Sequence, residues 1–508
     1  MNRDDETRTV RYPSRRSFLA GAAAFAAARP ALGQSSAAQT SADVDVIVVG
    51  AGAAGIAAAR TLSAAGRSFT LVEAASRVGG RCITETRSFG VPFDRGAHWI
   101  QNPDINPLTK LAAQTGLDIY QAPSAQRVRI GQRRARESEL EDYLAAMVRA
   151  NRAISEAGRG RIDVDCLHAL PKDLGDWQST MEFMLGPYAN ARDLNEMSAL
   201  DFSKTSDRGA GAFCRQGYGA LLAKLADGIP VELQTPVTQV DTQTRGSRVD
   251  AVTPRGTLSC RYMIVTASTE VLASERIKFD KGLPKRHADA LAKLRLGSFD
   301  HIALEMPGNP LGLQRDDMVL ERSSGSRTAA LLANVSGTPL ALVEVGGRFG
   351  RELSGEGEAA MVGFAVEWLA GLFGSGVKNA VRRTAATRWN AEPWVQGAFA
   401  TASPGGQWAR RALMEPVRDR VYFAGEAVHE TLWGTVGGAW ESGARAAEAV
   451  VRRLAGLPEA VPAMPPKAEP QASAPQRGHA TPKPETEAPR GRSRRRPRRQ
   501  PSRSRRQP

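Results

Sequence analysis

Val46 to Val49 is the first sustained apolar run, a stretch of β-branched residues that reads as a strand buried on both faces. Ala53 to about Ala65 follows with helical spacing, Gly66 ends it, and Ser68 to Val72 is a second strand. Cys82 to Thr86 and Val91 to Asp94 read as short strands around a turn at Ser88-Phe89-Gly90, and a helix follows Asn106-Pro107-Leu108. From Asp118 to about Phe213 the pattern is weaker. Ser138 to Ala157 has helical periodicity with charged residues on its open face, and Asp173 to Leu185 and Ala191 to Leu200 read as further helices. Strands are expected at Arg248 to Val252, Thr257 to Val265, Leu296 to Leu304, Thr328 to Asn334 and Leu340 to Val345. Helices are expected to run to Ala226, over Pro284 to Leu294, over about Gly357 to Leu372, near Val377, and from Glu441 to about Leu454. This mixture of strands and helices is an α/β chain.

The first strand, helix and second strand carry chemistry. Gly50, Gly52 and Gly55 stand at G-x-G-x-x-G spacing between strand and helix. Gly50 permits the tight turn, Gly52 lets backbone approach a pyrophosphate, and Gly55 lets the helix pack close on the strand. The first helical residues, Ala53 and Ala54, point free N–H groups at the phosphates. Glu73 ends the second strand, where a carboxylate accepts hydrogen bonds from ribose hydroxyls and repels a 2′-phosphate. Strand, helix, strand and acid in this order make a dinucleotide site the expectation.

Composition narrows the rest. The chain has 508 residues, 42% hydrophobic and 24% charged, ample for two sizeable cores. Four scattered cysteines form no C-x-x-C or zinc spacing, so no metal site is expected, and buried free thiols are favoured over a disulfide. Net charge is +15, but 13 Lys/Arg against 4 Asp/Glu from Ala455 onward put most of it in the tail.

Glu73-Ala74-Ala75-Ser76-Arg77-Val78-Gly79-Gly80-Arg81 resembles the E-x-x-x-R-x-G-G-R run of the flavin-dependent amine oxidase superfamily (polyamine and monoamine oxidases). Asp94-Arg95-Gly96-Ala97-His98-Trp99-Ile100 resembles its D-x-G-A-x-W-I segment, and Arg420 to Glu426 its second FAD signature. The resemblance implies FAD as cofactor, with Ala74, Arg77, Gly79, Gly80 and Arg81 about the pyrophosphate, Gly96 to Trp99 along the flavin, and Val237 at the adenine. It further implies Gly425 and Glu426 near the ribityl phosphate, and Thr435 and Val436 where a helix N-terminus meets the flavin carbonyls. Ala398 stands where a cysteine would bind FAD covalently, so the cofactor is expected to be non-covalent. Phe399 is expected as one wall of an amine cage, with Trp433 or Thr435 as the other; Thr435 favours polyamine-type geometry. His301 stands where many members have a lysine bridged by water to flavin N5, unless the register slips by one and Asp300 takes that place. For His98, contact with flavin or substrate and a buried structural role both stand open.

By this resemblance the fold is a Rossmann-type FAD-binding domain, discontinuous in sequence (43–117, 214–295, 389–456), with an α+β substrate domain (118–213, 296–388). The reaction is oxidation of an amine with O2 as acceptor. A flavin dehydrogenase or desaturase using another acceptor, and a redox-inactive envelope-binding flavoprotein, are the alternatives. Polyamine, monoamine and amino acid substrates are all open, as is oligomeric state.

Residues 1–33 read as a twin-arginine signal peptide, with Ser14-Arg15-Arg16-Ser17-Phe18-Leu19, the apolar Ala20 to Ala28 and a small-residue site at Ala31-Leu32-Gly33. Its apolar stretch is too short for a stable membrane span. The expected destination is the periplasm, and 34–42 is a linker. Residues 457–508 form a basic tail too poor in apolar residues to fold, suited to an anionic surface or polyanion, or simply solubilising.

Overall fold

A computed structural model describes residues 44–123, 126–205, 211–242 and 248–458. The expected signal peptide and almost all of the basic tail lie outside the described residues. Contacts divide the chain after Ala460, and every described residue falls in the unit before that point.

Two large sheets organise these residues. The first is centred on Val44–Val49, which pairs in parallel with Phe69–Val72 on one side and with Gly256–Val265 on the other. Val231–Glu232 extends it in parallel beyond Phe69–Val72. Gly256–Val265 changes partner along its length. Its first half pairs antiparallel with Val249–Thr253, and Met263 to Val265 pair in parallel with Val421–Phe423. Thus the C-terminal segment joins the same sheet, with Gly256–Val265 between it and Val44–Val49. Val46, Ile47 and Val48 are fully buried, as a both-faces strand requires.

Helix Ala53–Ala64 covers this sheet together with Val436–Leu454. The two helices approach closely at Gly443, where an added Cβ would meet the Ala54 carbonyl oxygen at 2.0 Å. Gly55 does the same for helix and strand turn, since its Cβ would fall 1.8 Å from the Gly50 carbonyl oxygen.

The second sheet runs in the order Thr384–Ala386, Phe299–Glu305, Leu340–Gly346, Ala330–Ala333, Asp317–Glu321, Gln126–Ile130, Arg133–Arg134. Helix Glu358–Phe373 packs against one region of it through Met361, Ala365 and Leu369. Helix Glu137–Ala157 packs with Met318, Leu320 and Ala330 elsewhere.

The main departures from expectation lie in the weakly patterned block. Asp173 to Leu185 is not one helix: a 3-10 turn (Gly175–Trp177), a short α-helix (Gln178–Phe183) and a π-turn (Met184–Tyr188) follow one another, the last containing Pro187. Proline lacks the N–H that would continue an α-ladder. Ala191 to Leu200 likewise reduces to Leu194–Glu196 and the start of Ala199–Phe202. An unexpected helix, Gly347–Glu356, precedes Glu358–Phe373; its three glycines hide it from propensity. All four cysteines are buried and unbridged.

Candidate active site

A cavity of about 530 Å³ runs from the C-terminal ends of the first sheet's parallel strands to one face of the second sheet. One end is built from backbone. Gly50, Gly52, Ala53, Ala54, Gly79 and Gly80 line it. Gly80 passes so near Gly52 that its Cβ would lie 3.3 Å from the Gly52 Cα. Gly52 caps helix Ala53–Ala64 without any side-chain hydrogen bond, so its first-turn N–H groups are left for a bound anion. Gly55 does not line the cavity; its role is the close packing above.

Side chains then fix this end. The Glu73 carboxylate is buried and accepts from the N–H groups of Ala51 (2.7 Å) and Ala75 (2.8 Å), which aims it across the turn. Arg77 donates to the Gly80 carbonyl at 3.0 Å, and burial lowers its pKa against the opposing pull of Glu73. Arg81 donates to the Ala398 carbonyl and, at 2.8 Å, to Glu426. Glu426 also accepts from the N–H groups of Ala400 (3.2 Å) and Gly434 (3.1 Å). The two expected cofactor segments are therefore clamped to each other through one carboxylate. Ala74, Gly96, Ala97, Val237 and Gly425 line the same cavity. Thr435 and Val436 line it as well, at the start of helix Val436–Leu454, where the Thr435 hydroxyl accepts from Gly438 N–H at 2.9 Å and caps the helix.

The other end is aromatic. Phe399 faces Phe299 at 6.4 Å between ring centroids, and Phe299 faces Tyr188 at 6.0 Å. Trp99 also lines the cavity and packs on Phe213 at 4.5 Å. Trp433 is not a cage wall. It is buried beneath the cavity, its ring 4.4 Å from the Arg410 guanidinium, itself held by Asp201. Thr435 is the residue of that pair which reaches the cavity. Sequence reasoning missed Phe299 and Tyr188.

His301, not Asp300, faces the cavity. Asp300 points the other way and accepts from Thr387 Oγ1 and Trp389 N–H, both at 2.9 Å. His301 Nδ1 donates to the Asp94 carbonyl at 2.9 Å, and Nε2 lies 3.4 Å from Glu344. Burial acts to lower the imidazole pKa, but the Glu344 carboxylate and the Asp94 carbonyl outweigh it, leaving it above the ordinary value. Glu344 escaped the sequence reading. Its signal is a lone acid in the otherwise apolar run Leu340-Ala341-Leu342-Val343-Glu344-Val345. His98 lines the cavity but is 4% exposed; Nδ1 bonds the Asp94 carboxylate at 2.8 Å and Nε2 is buried without a partner. Nδ1 is thus committed to Asp94 while Nε2 is unused by the protein, so both readings of His98 stand. No cluster of metal-ligating residues occurs among the described residues.

The flavin containing amine oxidoreductase family matches residues 53–451. The chain belongs to that family. Lysine-specific histone demethylase 2 of Homo sapiens is 26% identical over 450 residues, covering 80% of this chain; the chain spans about half (53%) of that protein's length. Polyamine oxidase 4 of Oryza sativa subsp. japonica is 27% identical over 462 residues, 82% of this chain and 91% of that protein. Among solved structures, cyclohexylamine oxidase from Brevibacterium oxydans IH-35A aligns with a TM-score of 0.69 at 22% identity, covering 81% of this chain and 100% of that one. Wild-type putrescine oxidase bound to putrescine aligns at 0.68 and 18% identity, over 81% and 99%. These structures share the α/β fold. The family's cofactor is FAD, and the uncapped helix, the glycine cradle and the Glu73 carboxylate fit it. Alanine at position 398 fits non-covalent binding.

Proposed function

We propose that the protein is an FAD-dependent amine oxidase, using the backbone end of the cavity for the dinucleotide and the aromatic end for the amine. The observation that carries this reading is the continuity of the two ends in one cavity, which the glycine turns line together with Phe399, Thr435 and His301. When bound, FAD supplies the redox chemistry, accepting a hydride equivalent from the amine carbon and passing electrons to O2. The chain's own part is to bind, orient and keep dry. Alkylammonium groups have pKa values of about 10.4, so the amine arrives protonated, and burial among aromatic rings favours its neutral form. Arg81, clamped by Glu426, holds the two cofactor segments together. The imine product hydrolyses to an aldehyde or ketone.

We further propose that 43–117, 214–295 and 389–456 form a Rossmann-type FAD domain and that 118–213 with 296–388 forms an α+β substrate domain. Sheet membership supports this division: every strand of the first large sheet comes from the former set, and every strand of the second from the latter. The sequence motif at Ser14 to Leu19 supports export to the periplasm; Arg15→Lys with Arg16→Lys should retain the protein in the cytoplasm. Among the described residues no helix is long and apolar enough to cross a membrane.

Anaerobic mixing of the purified protein with an amine panel tests the activity. The expected result is bleaching of the flavin absorbance, reversed by air with release of H2O2. Bound FAD that no amine bleaches would refute the oxidase reading.

A further inference from the structure

His301 and Glu344 are directly opposite each other in the antiparallel pairing of Phe299–Glu305 with Leu340–Gly346, so their side chains share one face of the sheet. Phe299 lies two residues from His301 on that face, with the two rings 5.8 Å apart. The Asp94 carbonyl can only accept, so His301 Nδ1 carries a proton. A neutral ring would then turn the Nε2 lone pair toward the Glu344 carboxylate, 3.4 Å away. The arrangement is satisfied when Nε2 is also protonated and the ring is an imidazolium. Glu344 is 1% exposed and does not line the cavity, whereas His301 does. The cation thus forms part of the wall, and the anion is sealed behind it.

The aromatic end offers nothing else to a second positive charge. Among the described residues, the acidic side chains lining the cavity are Glu73, Glu392 and Glu426. Glu73 and Glu426 belong to the cofactor end, and the Glu392 carboxylate acts, like Glu73, on the Arg77 guanidinium of that end. A substrate carboxylate fares no better. Both His301 ring nitrogens already face protein acceptors, Nδ1 the Asp94 carbonyl and Nε2 the Glu344 carboxylate, and Arg81 is engaged by Glu426 and the Ala398 carbonyl.

We propose that the His301–Glu344 pair selects the substrate class: amines with one nitrogen and an apolar body, against di- and polyamines and against amino acids. The inference rests on the amine oxidase reading and adds to it a specificity-determining residue, His301, and a positioning residue, Glu344. A second ammonium placed at this end would lose its water and meet an imidazolium, with no carboxylate in reach. This runs against the polyamine-type geometry that Thr435 alone suggested, because a small residue at one wall admits a chain but supplies no counter-charge.

The test compares hexylamine with 1,6-diaminohexane, equal in carbon length, by anaerobic flavin reduction in the holoenzyme. Hexylamine should be favoured in kcat/KM by at least about tenfold, the scale set by one unpaired charge. His301→Ala uncovers Glu344 and should raise the diamine-to-monoamine ratio by about tenfold or more, and adding Glu344→Gln should return it. Imidazole 15N spectra of the wild-type holoenzyme, with the His301 signal assigned by its loss in His301→Gln, give a readout independent of turnover: both ring nitrogens should be protonated at neutral pH. A diamine or an amino acid preferred by the wild type, a ratio unmoved in a folded His301→Ala, or a neutral His301 ring would each overturn the inference while leaving the oxidase reading intact. If no amine bleaches the flavin, the oxidase reading itself has failed.

Discussion

The two ends of the cavity are built by different means. The cofactor end is mostly main chain: glycines that allow close approach, helix N–H groups, and carboxylates that fasten turns. The amine end is mostly side chain, assembled from Tyr188, Phe299, His301, Glu344 and Phe399, which come from several strands and turns, with the Asp94 carbonyl fastening His301. Main-chain recognition constrains residue type tightly and locally, because only glycine fits. Side-chain recognition constrains it loosely, because many sets of rings and charges make a usable wall. The contrast teaches where substitutions should cost the fold and where they should change the substrate.

The sharpest break of that contrast is Gly55→Ala. Its Cβ would meet main-chain atoms, the Gly50 carbonyl oxygen at 1.8 Å and carbon at 2.9 Å, so the helix must move off the strand. Overpacking of this kind costs about 3 kcal/mol or more. The variant should lose bound FAD, read as the ratio of flavin to protein absorbance, and melt earlier. Phe399→Ala, at the other end, should keep its flavin and change only which amines it reduces. Equal flavin loss in both variants would erase the distinction.

Arg81→Ala tests whether the two cofactor segments need their clamp. The side chain is 26% exposed, so solvent screens part of the ion pair with Glu426. A charged hydrogen bond of about 2 kcal/mol converts to roughly thirtyfold weaker FAD binding, measured by reconstituting the apoprotein. A change below threefold would mean that the glycine cradle suffices alone.

Glu344→Gln asks the same of the amine end. The groups around the His301 ring are Glu344, the Asp94 carbonyl with its carboxylate on His98, Asp300 turned toward Thr387, and the cavity-lining Tyr188, which also meets Glu344. A histidine whose folded pKa is raised contributes stability that is fully present below its unfolded value, about 6.5, and lost as pH rises through the folded value. Wild type should therefore exceed Glu344→Gln by about 1.5 kcal/mol at pH 6, and the gap should narrow on the alkaline side. Urea midpoints across pH check it, and a gap that widens with pH contradicts a protonated His301.

The same contrast governs what could be read from sequence. Gly50, Gly52 and Glu73 were legible because their requirement is local: a turn, a close approach, a strand end; Arg77 and Gly80 entered only through the resemblance of the run that holds them. So were the parallel strands, whose apolar runs need no partner to be recognised. His301 was legible only as a departure from a lysine, since its meaning depends on Glu344, a cross-strand neighbour on another strand. Tyr188 was missed because it sits in the π-turn Met184–Tyr188, which breaks the expected helix periodicity. Trp433 was misplaced because a motif gives a residue type but not its direction. Here the ring turns under the cavity to cover the Arg410 guanidinium.

The smallest effect sharpens the comparison most finely, because both cavity-facing helices can be set side by side. Helix Val436–Leu454 satisfies its first turn with its own cap, Thr435, whereas helix Ala53–Ala64 has no side-chain cap and leaves its N–H groups to the dinucleotide. Thr435→Ala should cost about 1 kcal/mol, the usual value of a lost threonine cap. The cost should be the same with and without FAD if the Thr435 hydroxyl serves only its own helix, to which it is committed through the Gly438 N–H and the Leu432 carbonyl. Melting the apo and holo forms of wild type and variant closes that cycle. A larger loss in the holo form would show that the Thr435 hydroxyl spends part of its bonding on the cofactor, so that the capped helix, like the uncapped one, gives up some of its own stability to hold FAD.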